Sequence, residues 1–194
     1  MAAPHFPLAT VEEYLEFDRA SECKNEYYRG QIIAMAGGKP THGQIITTIA
    51  ALLWIATDDR PCRVYSNDVR LAADRDSHYV YPDVFVVCGE LAFADSRQET
   101  LANAILVVEV LSPSTESADR GRKFASYRNL ESLKEYLMVS QFEPKAELHR
   151  RGPDGNWTKH EWKGLDAVAV LESVDAQLPL HRIYSKVVFE PEAG

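Results

Sequence analysis

The chain has 194 residues, of which 45% are hydrophobic and 26% are charged, a composition typical of one globular domain, which we place at residues 1–194. The formal net charge of −8 argues against tight non-specific binding to nucleic acid, because phosphate neutralisation needs clustered lysine and arginine. No apolar run approaches the roughly 18 residues of a membrane-spanning helix, and the first residues lack a secretory signal pattern, so we expect a cytoplasmic protein with no membrane partner.

The first third of the chain predicts a helix, a hairpin and a second helix. Thr10 and Glu13 have the spacing of a capping box, so a short helix should begin there. The segment "NEYYRGQIIAMAGG" has the pattern of two strands joined by a tight turn at Arg29-Gly30. The segment "THGQIITTIAALLWIATDD" predicts a helix with one broad apolar face, formed by Ile45, Ile46, Ile49, Leu52, Leu53 and Ala56.

The middle of the chain predicts a hairpin, a buried strand and a helix. The segment "RVYSNDVRLAA" alternates in polarity, "DRDS" is a polar turn, and "HYVYPDVFVV" is rich in aromatic and β-branched residues. We interpret the three together as one hairpin. Ile105 to Leu111 is apolar except at Glu109, which predicts a buried strand, and "SPSTESADRGRKFASYRNL" predicts a loop followed by a helix.

The last third predicts a meander and a terminal helix. The strands are "EYLMVSQF", "KAELHRR" and "WTKHEWK", with a turn at Gly152 to Asn156 between the last two. The segment "PLHRIYSKVVF" predicts a helix. The order of the elements indicates the α+β class, with a mostly antiparallel sheet covered by helices.

The three cysteines are Cys23, Cys62 and Cys88, an odd number with wide spacing. They form no C-x-x-C pair or Cys/His cluster that would indicate zinc. We therefore expect buried, reduced thiols in a cytosolic protein.

Two acids stand in apolar surroundings, Asp83 within "YVYPDVFVV" and Glu109 within "ILVVEVL". Carboxylates are almost never fully buried unless they are paired. Three explanations remain open: each acid pairs with an arginine or lysine, each lies at a sheet end and reaches water, or the two share a cation. Two like charges about 4 Å apart repel by roughly 4 kcal/mol at an effective dielectric of 20, so adjacent acids favour a divalent ion.

Several motifs occur in a fixed order between Glu26 and Val139: "EYYRGQI", His-Gly, "YPDVFVV", "ILVVEVLSPST", the run D-R-G-R-K and "EYLMV". Together they resemble the Uma-two family of restriction-endonuclease-like proteins, over well more than half of the chain. The pair Pro82-Asp83, followed by Glu109 in an apolar strand, is similar to the core of PD-(D/E)xK nucleases. The resemblance implies a restriction-endonuclease-like core, with a mostly antiparallel or mixed central sheet flanked by helices.

The resemblance also implies a catalytic set. Asp83 and Glu109 match the two metal-binding acids, and the backbone carbonyl of Val110 is a plausible third oxygen. Oxygen ligands suit Mg²⁺ or Mn²⁺, which would polarise a phosphodiester and lower the pKa of a bound water. The motif lysine is missing at its usual spacing, where Leu111 stands, and the resemblance indicates Lys123 as the third catalytic residue.

Three further residues match the family in supporting positions. Glu26 is either an outer metal ligand or a partly exposed strand glutamate. His42 either contacts substrate or a neighbouring acid, or acts as a local helix cap. Tyr127, one helical turn after Lys123, either orients that lysine or packs into the core.

The segment around Lys123 is the most basic part of the chain, with Arg120, Arg122 and Arg128. We expect phosphate contacts from these arginines, although a basic helix face is also compatible with simple solvation. If the helix begins just after Thr115, its free N–H groups would offer a second anion site near the acids.

The leading hypothesis is a metal-dependent endonuclease that hydrolyses DNA phosphodiester bonds. The alternative is a non-catalytic nucleic-acid- or protein-binding module that retains the nuclease fold, which the displaced lysine and the acidic charge favour. A third possibility is a structural partner in an oligomer. We expect a homodimer or a higher homo-oligomer, because nucleases that cut duplexes often need two active sites.

Overall fold

The computed structural model describes residues 8–35 and 37–189. The helices are α1 (Val11–Ala20), α2 (Pro40–Ala56), α3 (Glu116–Ala118), α4 (Phe124–Tyr127) and α5 (Leu180–Ile183), with a π-helical turn (Asp119–Lys123) between α3 and α4 and a 3-10 turn at Glu172–Val174. The strands are β1 (Asn25–Tyr28), β2 (Gln31–Ala34), β3 (Cys62–Ser66), β4 (Arg70–Asp74), β5 (His78–Val80), β6 (Val84–Cys88), β7 (Thr100–Leu101), β8 (Leu106–Leu111), β9 (Glu135–Ser140), β10 (Lys145–Arg151), β11 (Trp157–Lys163), β12 (Val168–Leu171) and β13 (Ala176–Pro179).

Within the described part of the chain, the strands form three sheets. The largest has six strands in the order β11-β10-β9-β8-β6-β3, and the second has five in the order β2-β1-β5-β4-β7. Strands β8 and β9 are parallel, as are β4 and β7, and the remaining pairs are antiparallel. Strands β12 and β13 form a separate hairpin. The predicted α+β class with a mixed, mostly antiparallel sheet is confirmed.

Two apolar layers hold the six-stranded sheet. On one face, Ile45, Ile49 and Leu53 of α2 pack with the β12–β13 hairpin and α5. On the other face, Tyr127 of α4 packs together with Leu71 from the five-stranded sheet. The predicted apolar side of α2 is therefore its buried side. Within the described ranges, no helix combines the length and apolarity needed to cross a bilayer.

The N-terminal elements agree with their sequence signals. Thr10 and Glu13 form both hydrogen bonds of the capping box at the start of α1. The β1–β2 turn lies at Arg29 and Gly30, whose φ angles of 49° and 88° are the left-handed values that such a tight hairpin turn requires.

The hairpin predicted over residues 63–87 is wrong in its pairing. Strand β3 pairs with β6 in the six-stranded sheet, whereas β4 pairs with β5 in the five-stranded sheet. The chain crosses between the sheets twice, first between Ser66 and Arg70 and then between Val80 and Val84. Pro82 lies at the second crossing, where it has no N–H to give to a strand ladder. Asp83 consequently precedes β6 instead of standing inside a strand.

The C-terminal prediction is also corrected. The helix predicted over residues 179–189 is only Leu180–Ile183, and the β12–β13 hairpin before it was not predicted. Asp175 turns this hairpin with a φ angle of 48°, a conformation that aspartate tolerates better than most residues.

The expectation of three buried, reduced cysteines is wrong. Cys62 and Cys88 form a disulfide, and Cys23 is a free, exposed thiol. The bond has a structural reason, because Cys62 and Cys88 face each other directly in the β3–β6 register. That register depends on the sheet crossings and could not be inferred from cysteine spacing.

His78 is fully buried, and its Nδ1 lies 2.7 Å from the Ser126 hydroxyl. Burial, with Lys123 and Arg122 nearby, lowers the pKa of His78 to about 4 from its usual 6.5. Between pH 6.5 and 4 this histidine is protonated in the unfolded chain but not in the folded protein. The free energy of unfolding should therefore fall as the pH is lowered from 6.5 to 4. His78 contributes up to about 3 kcal/mol of this fall.

We expect His78→Gln, which can keep the bond to Ser126, to show a shallower fall in the free energy of unfolding between pH 6.5 and 4. Chemical denaturation at a series of pH values measures this. His181→Gln, at an exposed histidine, is the control and should keep the wild-type slope. Parallel curves for His78→Gln and wild type would contradict the prediction.

Candidate active site

The two predicted acids lie side by side at the edge between β6 and β8. These strands are antiparallel neighbours with Val84 opposite Val108, which brings the preceding Asp83 next to Glu109. The Asp83 N–H lies 3.3 Å from Glu109 Oε2, and the Val110 N–H donates to Asp83 Oδ2 at 2.7 Å. Backbone groups thus fix both carboxylates in position.

Lys123 reaches the same point from the π-helical turn. Its Nζ lies 3.2 Å from Glu109, 3.0 Å from Glu26 and 3.3 Å from Asp119. The hydroxyl of Tyr127 donates to Glu109 Oε1 at 2.9 Å. Tyr127 therefore contacts the acid, and it is also fully buried in the core.

Asp119 is a member of the cluster that sequence reasoning missed. It is buried beside Lys123 and lines the same cavity as Asp83 and Glu109. The spacing of Asp119 and Lys123 was the available signal, because residues four apart lie on one helix face.

The cluster holds four carboxylates around one lysine. Burial raises the pKa of Glu109 well above its usual range; Lys123 opposes this, while Asp119, Asp83 and Glu26 add to it. Burial alone would lower the pKa of Lys123, but Glu109, Glu26 and Asp119 outweigh burial and raise it well above its usual range. The cluster thus has one cationic side chain, Lys123, for four carboxyl groups.

His42 lies in the first turn of α2 and contacts Asp83. Its Nε2 is 2.9 Å from the Val110 carbonyl oxygen and 3.5 Å from Asp83 Oδ2. Burial lowers the pKa of His42, but Asp83, the Val110 carbonyl and Asp119 together outweigh burial and raise it. The expected contact with a neighbouring acid is present, and the Val110 carbonyl keeps one lone pair for another partner.

A cavity of about 600 Å³ opens onto these groups. Its wall includes Asp83, Glu109, Asp119, Lys123 and His42, together with the glycines before α2 and residues 112–115 before α3. The "SPST" segment therefore lines the same cavity as the acids. Helix α3 begins at Glu116, directly after this segment.

The three predicted phosphate-contacting arginines do not line this cavity. Arg120 pairs with Glu116 at 2.7 Å and with Glu147. Arg122 lies over the ring of Tyr28 and Arg128 over the ring of Phe124. Each arginine is therefore engaged by groups other than the acid pair. Their contact with phosphate remains a prediction.

The donor set fits a hard divalent cation. Glu26 Oε1 and Asp119 Oδ1 are buried and accept no hydrogen bond from the described residues, although each lies near Lys123. Within residues 8–35 and 37–189, no three His, Cys, Asp or Glu side chains are arranged to hold an ion. An ion at the acid pair would therefore have Asp83, Glu109, the Val110 carbonyl and water as ligands, which is the mixture that Mg²⁺ accepts.

Comparison with known proteins adds a family and a fold. The model of the Uma2 family, described as "Putative restriction endonuclease", matches residues 11–181. Uncharacterized protein slr1290 of Synechocystis sp. is 34% identical over 188 residues, which are 95% of each chain. Uncharacterized protein sll1609 of the same organism is 33% identical over 160 residues, covering 82% of this chain and 90% of that protein.

A crystal structure with the same fold comes from Anabaena variabilis. It is the structure of a "putative nuclease", and it superposes with a TM-score of 0.75 over 93% of this chain and 99% of that chain. The sequence identity is 16%, so this likeness concerns the fold.

Proposed function

The chain belongs to the Uma2 family of restriction-endonuclease-like proteins, and from this premise we propose that it is a divalent-metal-dependent endonuclease that hydrolyses DNA phosphodiester bonds in the cytoplasm. One observation carries the proposal: Asp83 and Glu109 are held together at the wall of an open cavity, with a buried lysine 3.2 Å from Glu109. If the acids served only to form a structural ion pair with the lysine, neither the cavity beside them nor the additional carboxylates would be needed.

Asp83, Glu109 and the carbonyl of Val110 would hold the Mg²⁺ or Mn²⁺ ion. When bound, the ion supplies a Lewis acid for the phosphate and lowers the pKa of a coordinated water. Adjacent carboxylates in one low-dielectric site repel each other, and a divalent charge would offset that repulsion.

The remaining side chains would orient this pair. His42 holds Asp83 and Tyr127 holds Glu109 through hydrogen-bonding groups. Glu109, Glu26 and Asp119 outweigh burial and raise the pKa of Lys123, which favours its charged form over the neutral form that a general base needs. Lys123 would instead stabilise negative charge on the phosphate, a role in which removal of a fixed donor costs about 10²–10³ in rate. Glu26 and Asp119 hold Lys123 in place.

The test is nicking of supercoiled plasmid with Mg²⁺, with Mn²⁺ and with EDTA. Asp83→Asn should lose activity by about two orders of magnitude or more, since it removes a charge at the proposed ion. Asp166→Asn changes an exposed aspartate and should nick like wild type. Equal nicking by Asp83→Asn and wild type would reveal a contaminating nuclease and overturn the proposal.

A second function is a non-catalytic module that binds nucleic acid or protein. The net charge of −8 and the fact that Arg120, Arg122 and Arg128 do not line the cavity favour it. Calorimetry separates the two functions. The enzyme should bind Mn²⁺, and Asp83→Asn should abolish that binding, whereas a module that only binds nucleic acid or protein should bind no Mn²⁺ at this site. For the enzyme we propose a homodimer or higher homo-oligomer, which would place two cavities on one duplex.

A further inference from the structure

A second cavity, of about 680 Å³, lies beside the acid cavity. The two cavities share Lys39 and Gln141 as wall residues, so these side chains form a ridge between them. The second cavity is not lined by Asp83, Glu109 or Asp119, the three clustered acids that line the first. It therefore has a different chemistry while being continuous with the proposed site of cleavage.

Gln141 is an unpartnered amide on this ridge. The side chain is only 8% exposed, and its Oε1 atom is buried without a hydrogen-bond partner. No other described residue forms a hydrogen bond with this amide. Buried polar groups without partners are rare, because each costs free energy that a partner would recover. The amide is therefore available to a ligand that lies across the ridge.

The start of α2 lies on the same ridge. The helix has 17 residues, its N-cap residue Lys39 makes no side-chain cap bond, and no acid stands in its first turn. The free N–H groups and the helix dipole there favour an anion. Lys39 is exposed and forms no ion pair within the described part of the chain. Thr41 lines the second cavity and His42 the first, so the helix start faces both.

Phe142 follows Gln141 and lines the second cavity with 55% of its surface exposed. An exposed aromatic ring beside cationic groups is the usual platform for a stacked base. The charged residues of this wall are the cations Lys39, Arg120, Lys145 and Lys163 and the carboxylates Glu116 and Glu143. Arg120 pairs with Glu116 and Glu147, Lys145 with Glu161 and Lys163 with Glu143. Lys39 is therefore the cation of this wall that we assign to a phosphate.

We propose that the second cavity binds an unpaired nucleotide next to the scissile phosphate of a DNA strand. This inference rests on the proposed nuclease function. The phosphate backbone crosses the ridge at Lys39 and the start of α2, Gln141 bonds the nucleotide, and Phe142 stacks on its base. A base inside a duplex is stacked on both sides and cannot reach Phe142 without leaving the helix. The site therefore selects single-stranded or locally unpaired DNA.

The test is fluorescence anisotropy in EDTA, so that neither cleavage nor metal contributes. The probes are a labelled single strand of about 12 nucleotides and the duplex of the same sequence. Phe142→Ala should weaken single-strand binding about tenfold, and Gln141→Leu about fivefold. Neither change should affect duplex binding. Phe17→Ala is the matched control, because Phe17 is 51% exposed on α1 and lines neither cavity.

Three results would overturn the inference: wild type that does not bind the single strand, Phe142→Ala that binds it like wild type, or equal losses on single strand and duplex. Thermal melting shows whether Gln141→Leu is folded, and Phe142→Ala changes an exposed residue, so the test does not depend on one variant. A protein that binds the single strand through Phe142 but never nicks DNA would fail the proposed function alone. Wild type that nicks DNA but gives any of the three binding results above would contradict this inference alone.

Discussion

Lys123→Met is expected to lower the free energy of unfolding by about 3–5 kcal/mol, as when one partner of a buried ion pair is removed. The side chain of Lys123 is 7% exposed, and its ammonium nitrogen lies within 3.3 Å of three carboxylates. Methionine has a similar shape but no charge, so Glu26, Glu109 and Asp119 would lose their shared cation. Urea denaturation measures the loss.

Two further variants interpret that result. Lys134→Met changes an exposed lysine and should stay within about 0.5 kcal/mol of wild type. Adding Asp119→Asn to Lys123→Met removes one of the stranded carboxylates and should restore part of the lost stability. If Lys123→Met is as stable as wild type, the lysine does not hold the cluster together.

Glu109→Gln is expected to abolish metal-dependent nicking while the fold stays within about 1 kcal/mol of wild type. Glutamine keeps the shape of the side chain and an oxygen for Tyr127 and Lys123, but it loses the charge at the proposed ion and the acceptor of the long bond from the Asp83 N–H. At a free Mn²⁺ concentration of 100 times the dissociation constant, the free energy of unfolding of the wild type should rise by about 2.7 kcal/mol. That of Glu109→Gln should not change.

Thermal melting with and without Mn²⁺ reads out this difference without any assay of activity. Glu12→Gln, at an exposed glutamate on α1, should keep the full stabilisation by Mn²⁺. Stabilisation of Glu109→Gln equal to that of wild type would place the ion elsewhere.

Local patterns in the sequence predicted the acid pair and most of the elements. Glu109 interrupts an apolar run, and such a run becomes a central strand whose acid needs a partner. The capping box at Thr10 and the turn at Arg29-Gly30 act within a few residues, so they could be read directly. The position of Lys123 came from the family resemblance, since helical spacing alone does not say which face meets a sheet.

Features that depend on distant partners could not be predicted in the same way. Polar and apolar residues alternate through residues 63–73, and this pattern is the same whether the chain stays in one sheet or crosses to another. The Cys62–Cys88 bond follows from that crossing. Asp119 appeared to be one more polar residue on a charged helix, and only the packing of this helix against β8 shows that it is buried.

The π-helical turn at Asp119–Lys123 makes this part of the chain sensitive to its length. A π turn accommodates one residue more than an α turn, and it lets Lys123 and Tyr127 converge on the same oxygen of Glu109. Deleting one residue between Thr115 and Tyr127 would leave a regular helix but rotate everything after the deletion by about 100°. The tyrosine hydroxyl would then point away from the acid. Substitutions on the outer side of this helix should be tolerated far better than any insertion or deletion within it.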